Sequence, residues 1–129
     1  MKLFTKYLFT FAIGSLFFSC QDHNVSSDDK PDAPGLAYSE SAQDFDATYN
    51  SLQSALKSNP DISIVAEVNH TANAKSVNLE LRPTRVILFG NPTIGTPLMQ
   101  ANQLAGLDLP QKMLVYQAAN DKVFVAYNS

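Results

Sequence analysis

The chain contains a single cysteine, Cys20, and an uncharged apolar run ends just before it. One cysteine allows no disulfide bridge within the chain, so packing alone has to hold any fold that forms. Lys2 and Lys6 precede the apolar run, which covers residues 7–18, and the small residue Ser19 follows it. A basic start, a short apolar stretch and a small residue are the layout of a secretory signal peptide. The run is shorter than the roughly 20 apolar residues that a membrane-spanning helix needs.

Residues 17–20 resemble the lipobox of bacterial lipoproteins, in which the cysteine is acylated, for example with palmitate, and becomes the mature N-terminus. We therefore expect residues 1–19 to be a signal peptide and Cys20 to anchor the protein to a membrane of the cell envelope. Phe17 departs from the pattern, which usually has leucine there. Two alternatives stay open: an incidental thiol in an ordinary cleaved signal peptide, or an uncleaved apolar anchor. Gln21 after the cysteine favours the outer membrane, by the rule known for some bacterial lipoproteins.

The segment after the cysteine is predicted to be a flexible linker. Residues 20–34 are rich in Ser, Asp and Pro and offer little apolar surface to offset the entropy of ordering. Removal of residues 1–19 deletes two lysines and no acid, so the formal charge of −3 becomes −3 − 2 = −5. The remaining basic residues are scattered, and this balance argues against a nucleic-acid partner.

Residues 35–129 are predicted to form one small domain. Ile62, Ile64, Ala66 and Val68 alternate with other residues and are expected to share the buried face of one strand. Apolar positions three and four apart over residues 45–56 predict a helix, with Ser41 and Asp44 as a capping box. Further strands are predicted at residues 35–39, 86–89, 113–116 and 123–127, and a second helix at 96–105.

Three details of this pattern carry specific expectations. The continuously apolar residues 86–89 predict a strand that is covered on both faces and lies at the centre of the fold. Thr96 followed by Pro97 predicts a helix N-cap and first helical position. Residues 117–121 are expected to join two strands as an antiparallel hairpin, and residues 69–81 to form a helical turn or loop leading to a short extended piece. This order of elements predicts an α+β layer fold.

Several motifs in this domain are similar to those of the domain of unknown function 302 family. They are FGNP at residues 89–92, GTPLM at 95–99, LDLP at 107–110 and the Tyr-Asn pair at 127–128, together with Asn69-His70 and LRPT at 81–84 upstream. The resemblance covers roughly residues 36–128. It implies a TATA-binding-protein-like α+β domain with helices on one side of a mainly antiparallel sheet. It implies no DNA binding, because fold is a poor guide to function, and the family has no established activity to carry over.

The chain stops at Ser129, whereas members of that family usually continue into a proline and a short helix. We therefore expect the strand at residues 123–127 to be left uncovered. An uncovered strand with apolar residues on both faces invites pairing with another chain. The sequence thus predicts self-association, most simply as a homodimer with the C-terminal hairpin in or beside the interface.

Catalytic and metal-binding motifs are weak in this sequence. Residues 90–95 have the glycine spacing of a phosphate loop, but Thr96 replaces the required lysine, so the two glycines are interpreted as shaping a strand-to-helix turn. His70 is the one histidine in the domain and lacks partners at metal-ligand spacing. Met99 lies among apolar residues, where core packing is the usual role. We predict no metal site and no cofactor.

Two functional hypotheses remain. The favoured one is a non-catalytic binding module that holds a small ligand or docks onto an envelope protein, with His70, Asn91, Thr96 and Met99 as the candidate site. The alternative is an enzyme of unrecognised mechanism in which His70 acts as general base beside a carboxylate. A pocket that places His70 within hydrogen-bonding distance of a carboxylate would favour the enzyme, whereas an apolar patch with a polar rim would favour binding.

Overall fold

The computed structural model describes residues 33–129. The predicted signal peptide and Cys20 lie outside the described residues, as does most of the predicted linker. The elements that follow are, in chain order, β1 (Leu36–Ser41), α1 (Phe45–Ser58), β2 (Ser63–Asn69), α2 (His70–Ser76), β3 (Thr84–Gly90), α3 (Pro92–Ala101), a 3₁₀ helix (Gln103–Leu107), β4 (Gln111–Gln117) and β5 (Val123–Asn128).

The five strands form one antiparallel sheet in the order β1-β5-β4-β3-β2. Together with the three helices, this confirms the predicted α+β class and its antiparallel sheet. The strand at the centre is β4, so the prediction that residues 86–89 occupy the centre is wrong; they lie in β3, one place away. The hairpin between β4 and β5 is confirmed, and its turn contains Asp121 at a φ of 64°.

The last strand does not have the free edge that the sequence led us to expect. β5 pairs with β1 on one side and with β4 on the other, so the edge strands are β1 and β2. Val123, Phe124 and Ala126 of β5 are all buried, and the ring of Phe124 stacks on that of Tyr116 at 5.5 Å. The premise of an uncovered strand is therefore wrong, because β1 closes that edge of the sheet.

Helix α1 covers one face of the sheet and forms the core with it. Tyr49 and Leu56 pack against Ile87 and Val115, both of which are fully buried. Burial of such side chains stabilises the fold by about 1.5–3 kcal/mol each. Asp44 caps the helix by accepting a hydrogen bond from the backbone N–H of Ala47 at 2.8 Å.

The N-terminal residue of the predicted capping box has a different role. Ser41 is the last residue of β1, and its hydroxyl lies 2.7 Å from that of Thr48 in α1. The helix starts at Phe45, directly after its cap at Asp44. Ser41 therefore links the end of β1 to the first turn of the helix.

A β-bulge interrupts the predicted alternation of β2. Ile64 pairs with Phe89 and Ala66 pairs with Leu88, which leaves Val65 as an extra residue. Because one extra residue reverses the facing of all later side chains, Glu67 shares the α1 face with Ile64 and lies opposite Ile87. The expectation that Ile64 and Ala66 share one face is therefore wrong.

Helices α2 and α3 lie at opposite ends of β3, since one precedes that strand and the other follows it. Residues 69–81 contain helix α2, in agreement with the predicted helical turn, but no strand forms until Thr84. The two helices therefore mark the two ends of the sheet at which a site can be built.

Candidate functional site

Helix α3 begins immediately after β3, and its first turn is closed by local hydrogen bonds. The side chain of Asn91 is the N-cap and accepts from the backbone N–H of Thr93 at 2.9 Å, while Pro92 has no N–H to offer. The N–H groups of Ile94 and Gly95 donate to the carbonyl of Asn91 at 3.1 and 2.9 Å. These contacts satisfy the first donors of the helix, so this turn offers no cradle for a phosphate or carboxylate.

The predicted cap at Thr96 is wrong, because Pro97 lies inside α3 and not at its start. Asn91 and Pro92 carry the same signature of a capping side chain followed by proline, five residues earlier. The helix also ends at Ala101, before the predicted Ala105, and the chain continues as the 3₁₀ helix.

The two glycines of the motif do not shape a turn, and neither position lacks room for a Cβ atom. Neither Gly90 nor Gly95 has a positive φ. A Cβ atom on Gly95 would lie 3.4 Å from the side chain of Leu109, and one on Gly90 would lie 3.7 Å from that of Pro110. Both distances are ordinary van der Waals contacts, so a Cβ atom would fit at either position without moving the connector at residues 109–110.

A cleft of about 380 Å³ lies between α3, this connector and the start of β2. We call it the Met99 cleft. Three of the four predicted site residues line it: Asn91, Thr96 and Met99. Its other walls include Ser63, Val65 and Pro110.

A second cavity of about 320 Å³ lies across Asn91 from the Met99 cleft. The two share Gly90, Asn91, Gly95 and Leu109, so one short segment of chain separates them. Its walls include Phe89, Ile94 and Leu98, which makes it apolar as well.

The outer surface of this region is also apolar. Ile94 is 64% exposed and Leu107 is 79% exposed, and Leu98 and Leu104 are exposed too. No charged residue occurs anywhere in residues 90–107. Four large apolar side chains exposed on one uncharged segment favour this region as a place where another molecule binds.

The structure separates His70 from the other predicted site residues. His70 opens α2 at one end of β2, whereas Ser63 of the Met99 cleft begins the other end. Six residues of strand at about 3.3 Å each separate these ends by about 20 Å. His70 is exposed, and within residues 33–129 its imidazole makes no hydrogen bond to a carboxylate. The geometry expected for a general base is thus not present in the described part.

Sequence reasoning missed a polar cluster between α1 and the sheet. The hydroxyl of Tyr49 donates to Glu67 Oε2 at 2.7 Å, and Gln53 Nε2 donates to both carboxylate oxygens at 2.9 and 2.8 Å. The guanidinium of Arg85 lies 5.3 Å from the ring centroids of both Phe45 and Tyr49. The bulge at Val65 turns Glu67 toward α1 and so creates this cluster. No simple sequence pattern marks the bulge, and the sequence therefore carried no signal for the cluster.

The cluster changes the acidity of two of its members. The hydrogen bond from Tyr49 lowers the pKa of Glu67, because it stabilises the carboxylate. Burial, and then the bond to Glu67, raise the pKa of Tyr49 well above its ordinary value. At neutral pH the cluster therefore contains an ionised Glu67 and a neutral Tyr49, which suits a structural hydrogen bond and not proton transfer.

Two further searches of the described residues gave no site. Residues 33–129 contain no group of three or more His, Cys, Asp and Glu side chains placed to hold a metal ion. Within the same residues, no helix combines the length and the apolar character needed to cross a bilayer.

The proteins that the chain resembles include two that are named as ion channels. The chain is 37% identical over 94 residues to the Fluoride-specific ion channel FluC 1 of Brucella suis biovar 1 (strain 1330), and equally identical to the protein of that name from Brucella abortus biovar 1 (strain 9-941). The match covers 73% of this chain but 37% and 34% of those proteins. The chain thus spans about a third of the length of these relatives.

The fold is similar to a solved structure as well. The crystal structure of a conserved DUF302 protein from Bacillus stearothermophilus superposes with a TM-score of 0.67 and 21% sequence identity, covering 74% of each chain. The model of the family described as Domain of unknown function DUF302 matches residues 38–129. Because that match covers well over half of the sequence, the resemblance seen in the motifs is confirmed, and this chain belongs to the DUF302 family.

Proposed function

We propose that this protein is a lipid-anchored binding protein of the bacterial cell envelope, and that its Met99 cleft holds a small, uncharged and mainly apolar ligand without catalysis. The observation that carries the proposal is the convergence of Asn91, Thr96 and Met99 on one cleft of about 380 Å³. Ligand pockets commonly have volumes of about 300–1,000 Å³.

The walls of the cleft define the chemistry of the ligand. Val65, Met99 and Pro110 offer apolar surface, and no charged side chain from residues 33–129 lines the cleft. Ser63 and Thr96 supply hydroxyl groups, each of which can donate or accept one hydrogen bond. The best match is therefore an alkyl or aromatic group that carries one neutral polar atom. An apolar side chain of an envelope protein with a neighbouring hydroxyl or amide has the same chemistry.

Two observations support a location at a membrane. The first is the layout of residues 1–20, which predicts a lipid on Cys20 and, through Gln21, the outer membrane. The second is that a region similar to this chain makes up about a third of proteins named as ion channels, and ion channels work in membranes. Fluoride conduction is ascribed to those whole proteins, and we do not propose it for this chain.

The alternative function, an enzyme with His70 as general base, has less support. His70 lies about 20 Å along β2 from the Met99 cleft. A general base has to reach the proton that it abstracts within about 2.6–3.2 Å, or through one water molecule. We therefore place the ligand site at the Met99 cleft alone and give His70 no part in it.

The proposal can be tested with the two methionines that follow residue 20, Met99 and Met113. Met99 lines the cleft, whereas Met113 packs against the core beneath α1. The chain from residue 20 onward, with Cys20→Ser and ¹³C-methyl methionine, is titrated with 1-hexanol. We expect a saturable shift of the Met99 methyl signal while the Met113 signal stays in place.

A matched pair of variants locates the hydrogen bond. Thr96→Val removes a hydroxyl from the cleft, and Thr93→Val makes the same change on α3 away from it. Because one neutral hydrogen bond contributes about 0.5–1.5 kcal/mol, only Thr96→Val should weaken 1-hexanol binding, by about two- to tenfold. Equal shifts of both methionines, or equal effects of both variants, would show that the alcohol binds elsewhere and would refute the cleft as the site.

A further inference from the structure

A third cavity lies at the other end of β2 and β3 from the Met99 cleft. Its volume is about 270 Å³, and it opens between the first turn of α1, helix α2 and the start of β3. Its walls include Asn69, Lys75 and Arg85, with Asp46 at the rim and Phe45 and Pro83 as apolar surface. We call it the Arg85 cavity.

The guanidinium of Arg85 lies close to two aromatic rings of α1. Its guanidinium carbon lies 5.3 Å from the ring centroids of Phe45 and Tyr49, and about a third of the side chain is exposed. A cation–π contact uses the charge of the guanidinium and takes up none of its five N–H donors as hydrogen bonds to other acceptors. Within residues 33–129 no acceptor meets hydrogen-bond criteria with these N–H groups.

Among the described residues Arg85 forms an ion pair with Asp46, and this pair is weak. Asp46 Oδ1 lies 3.3 Å from a terminal nitrogen of the guanidinium, and the Asp46 side chain is 73% exposed. Exposed ion pairs of this kind contribute little, because water and salt screen them. An incoming anion can therefore take the place of Asp46 without losing a strong contact.

Two other side chains of the cavity are suited to an anion. Lys75 makes no ion pair within the described residues, and it lines the cavity from α2 while Arg85 lines it from β3. Asn69 uses its carbonyl oxygen to accept from the backbone N–H of Ala72 at 2.9 Å, so its amide NH₂ group stays available as a donor. Glu67, the other acid near Arg85, is already hydrogen-bonded to Tyr49 and does not line the cavity.

We infer that the Arg85 cavity binds a small oxyanion, a carboxylate or a phosphate, and that Asp46 pairs with Arg85 when no anion is bound. The planar fork of a guanidinium matches both groups through two parallel hydrogen bonds. Lys75 adds a second positive charge, and the volume of about 270 Å³ has room for either group. This site is independent of the Met99 cleft and of any ligand bound there.

The experiment uses the two arginines of the chain, Arg82 and Arg85. The ¹⁵N-labelled full-length protein, purified in a neutral detergent, is titrated with sodium acetate and separately with sodium phosphate at constant ionic strength. We expect a saturable shift of the Arg85 Nε–H signal, assigned by its loss in Arg85→Lys. Arg82 lines a different cavity and is the internal control, so its signal should stay in place. Saturation by acetate alone identifies a carboxylate site, and saturation by phosphate alone a phosphate site.

Two substitutions should change the affinity in opposite directions. Asp46→Asn removes the competing carboxylate and should tighten binding of the effective anion, by about two- to fivefold. Lys75→Gln should weaken it by a similar factor, while Lys57→Gln, at the last turn of α1, should leave it unchanged. Linear shifts of both arginines, or an affinity that Asp46→Asn leaves unaltered or weakens, would overturn the proposal. Because Asp46 and Lys75 are exposed, we expect both variants to fold, and their amide spectra verify it.

Discussion

The hydrogen bond between Tyr49 and Glu67 offers a direct test of the packing between α1 and the sheet. Tyr49→Phe removes only the hydroxyl that donates to Glu67 Oε2 at 2.7 Å and leaves the buried ring in place. The substitution creates no cavity beyond the lost oxygen. Any loss of stability therefore reports on this one hydrogen bond and on the desolvation of its partners.

The expected magnitude follows from the surroundings of Glu67. A hydrogen bond to a charged group contributes about 1.5–3 kcal/mol when both partners are buried. Glu67 is exposed, so water can replace the lost donor, and Gln53 still donates to both carboxylate oxygens. We therefore expect Tyr49→Phe to lower the free energy of unfolding by about 1 kcal/mol, which corresponds to about 4–8 °C in the melting temperature of a domain of this size.

The measurement is urea unfolding at pH 7 of the chain from residue 20 onward, with Tyr127→Phe as matched control. Tyr127 is an exposed tyrosine whose hydroxyl makes no hydrogen bond within the described residues, so its substitution should change stability by less than about 0.5 kcal/mol. Combined with Glu67→Ala, a double-mutant cycle should give a coupling energy of about 1 kcal/mol. Equal effects of the two tyrosine substitutions, or a coupling near zero, would refute the reasoning.

The pH dependence of this coupling has a definite sign. Glu67 has a lowered pKa in the folded state, so its contribution is present above the ordinary carboxyl range and is lost as the pH falls through that lowered value. Tyr49 has a raised pKa, so its contribution is complete below about pH 10 and declines as the pH rises further. Tyr49→Phe should therefore flatten the stability profile at its alkaline end.

Three further predictions concern the anchor, the start of α3 and self-association. Cys20→Ser should release the protein from the membrane fraction; an unchanged membrane fraction together with an uncleaved N-terminus would argue against lipidation. Asn91→Ala should lower the free energy of unfolding by about 0.5–2 kcal/mol, because Asn91 caps α3. Thr96→Ala should lower it by less than about 0.5 kcal/mol. Chemical denaturation that shows the reverse order would restore Thr96 as the cap. Self-association remains a prediction, and because β5 is paired on both sides we now assign the contact to an edge strand. Light scattering should detect a dimer, and Val65→Lys on the edge strand β2 should disrupt it. A strictly monomeric parent chain would refute the prediction.

The sequence was most informative where local chemistry determines structure on its own. The apolar stripe that includes Tyr49 and Leu56 predicted α1, and the hairpin between β4 and β5 was predicted from two apolar runs and the turn between them. Both elements depend on contacts between residues that are close in the chain. The family resemblance, based on the FGNP and GTPLM motifs, was equally informative for the fold.

The predictions that proved wrong have one physical cause. Where two local structures fit the same sequence pattern, contacts with residues far along the chain decide which one forms. Thr96-Pro97 and Asn91-Pro92 both carry a cap-plus-proline signature, and only the position of β3 selects the earlier one. The bulge at Val65 likewise depends on how β2 meets β3, so the facing of Glu67 could not be read from alternation. The candidate site was limited in the same way. His70 follows β2 and Asn91 follows β3, and because these two strands are antiparallel the two residues lie at opposite ends of the sheet.

The distribution of charge explains why the α3 end of the domain is the stronger candidate for binding an apolar molecule. Surfaces of soluble domains usually mix charges of both signs, and exposed apolar residues are normally scattered singly. Helix α1 follows this rule, with Asp46 in its first turn and Lys57 in its last. Residues 90–107 do not, because they carry no charge and expose Ile94 and Leu107 beside two apolar cavities. Exposure of that surface costs solvation free energy in the free protein, and this cost is recovered only when an apolar molecule covers it.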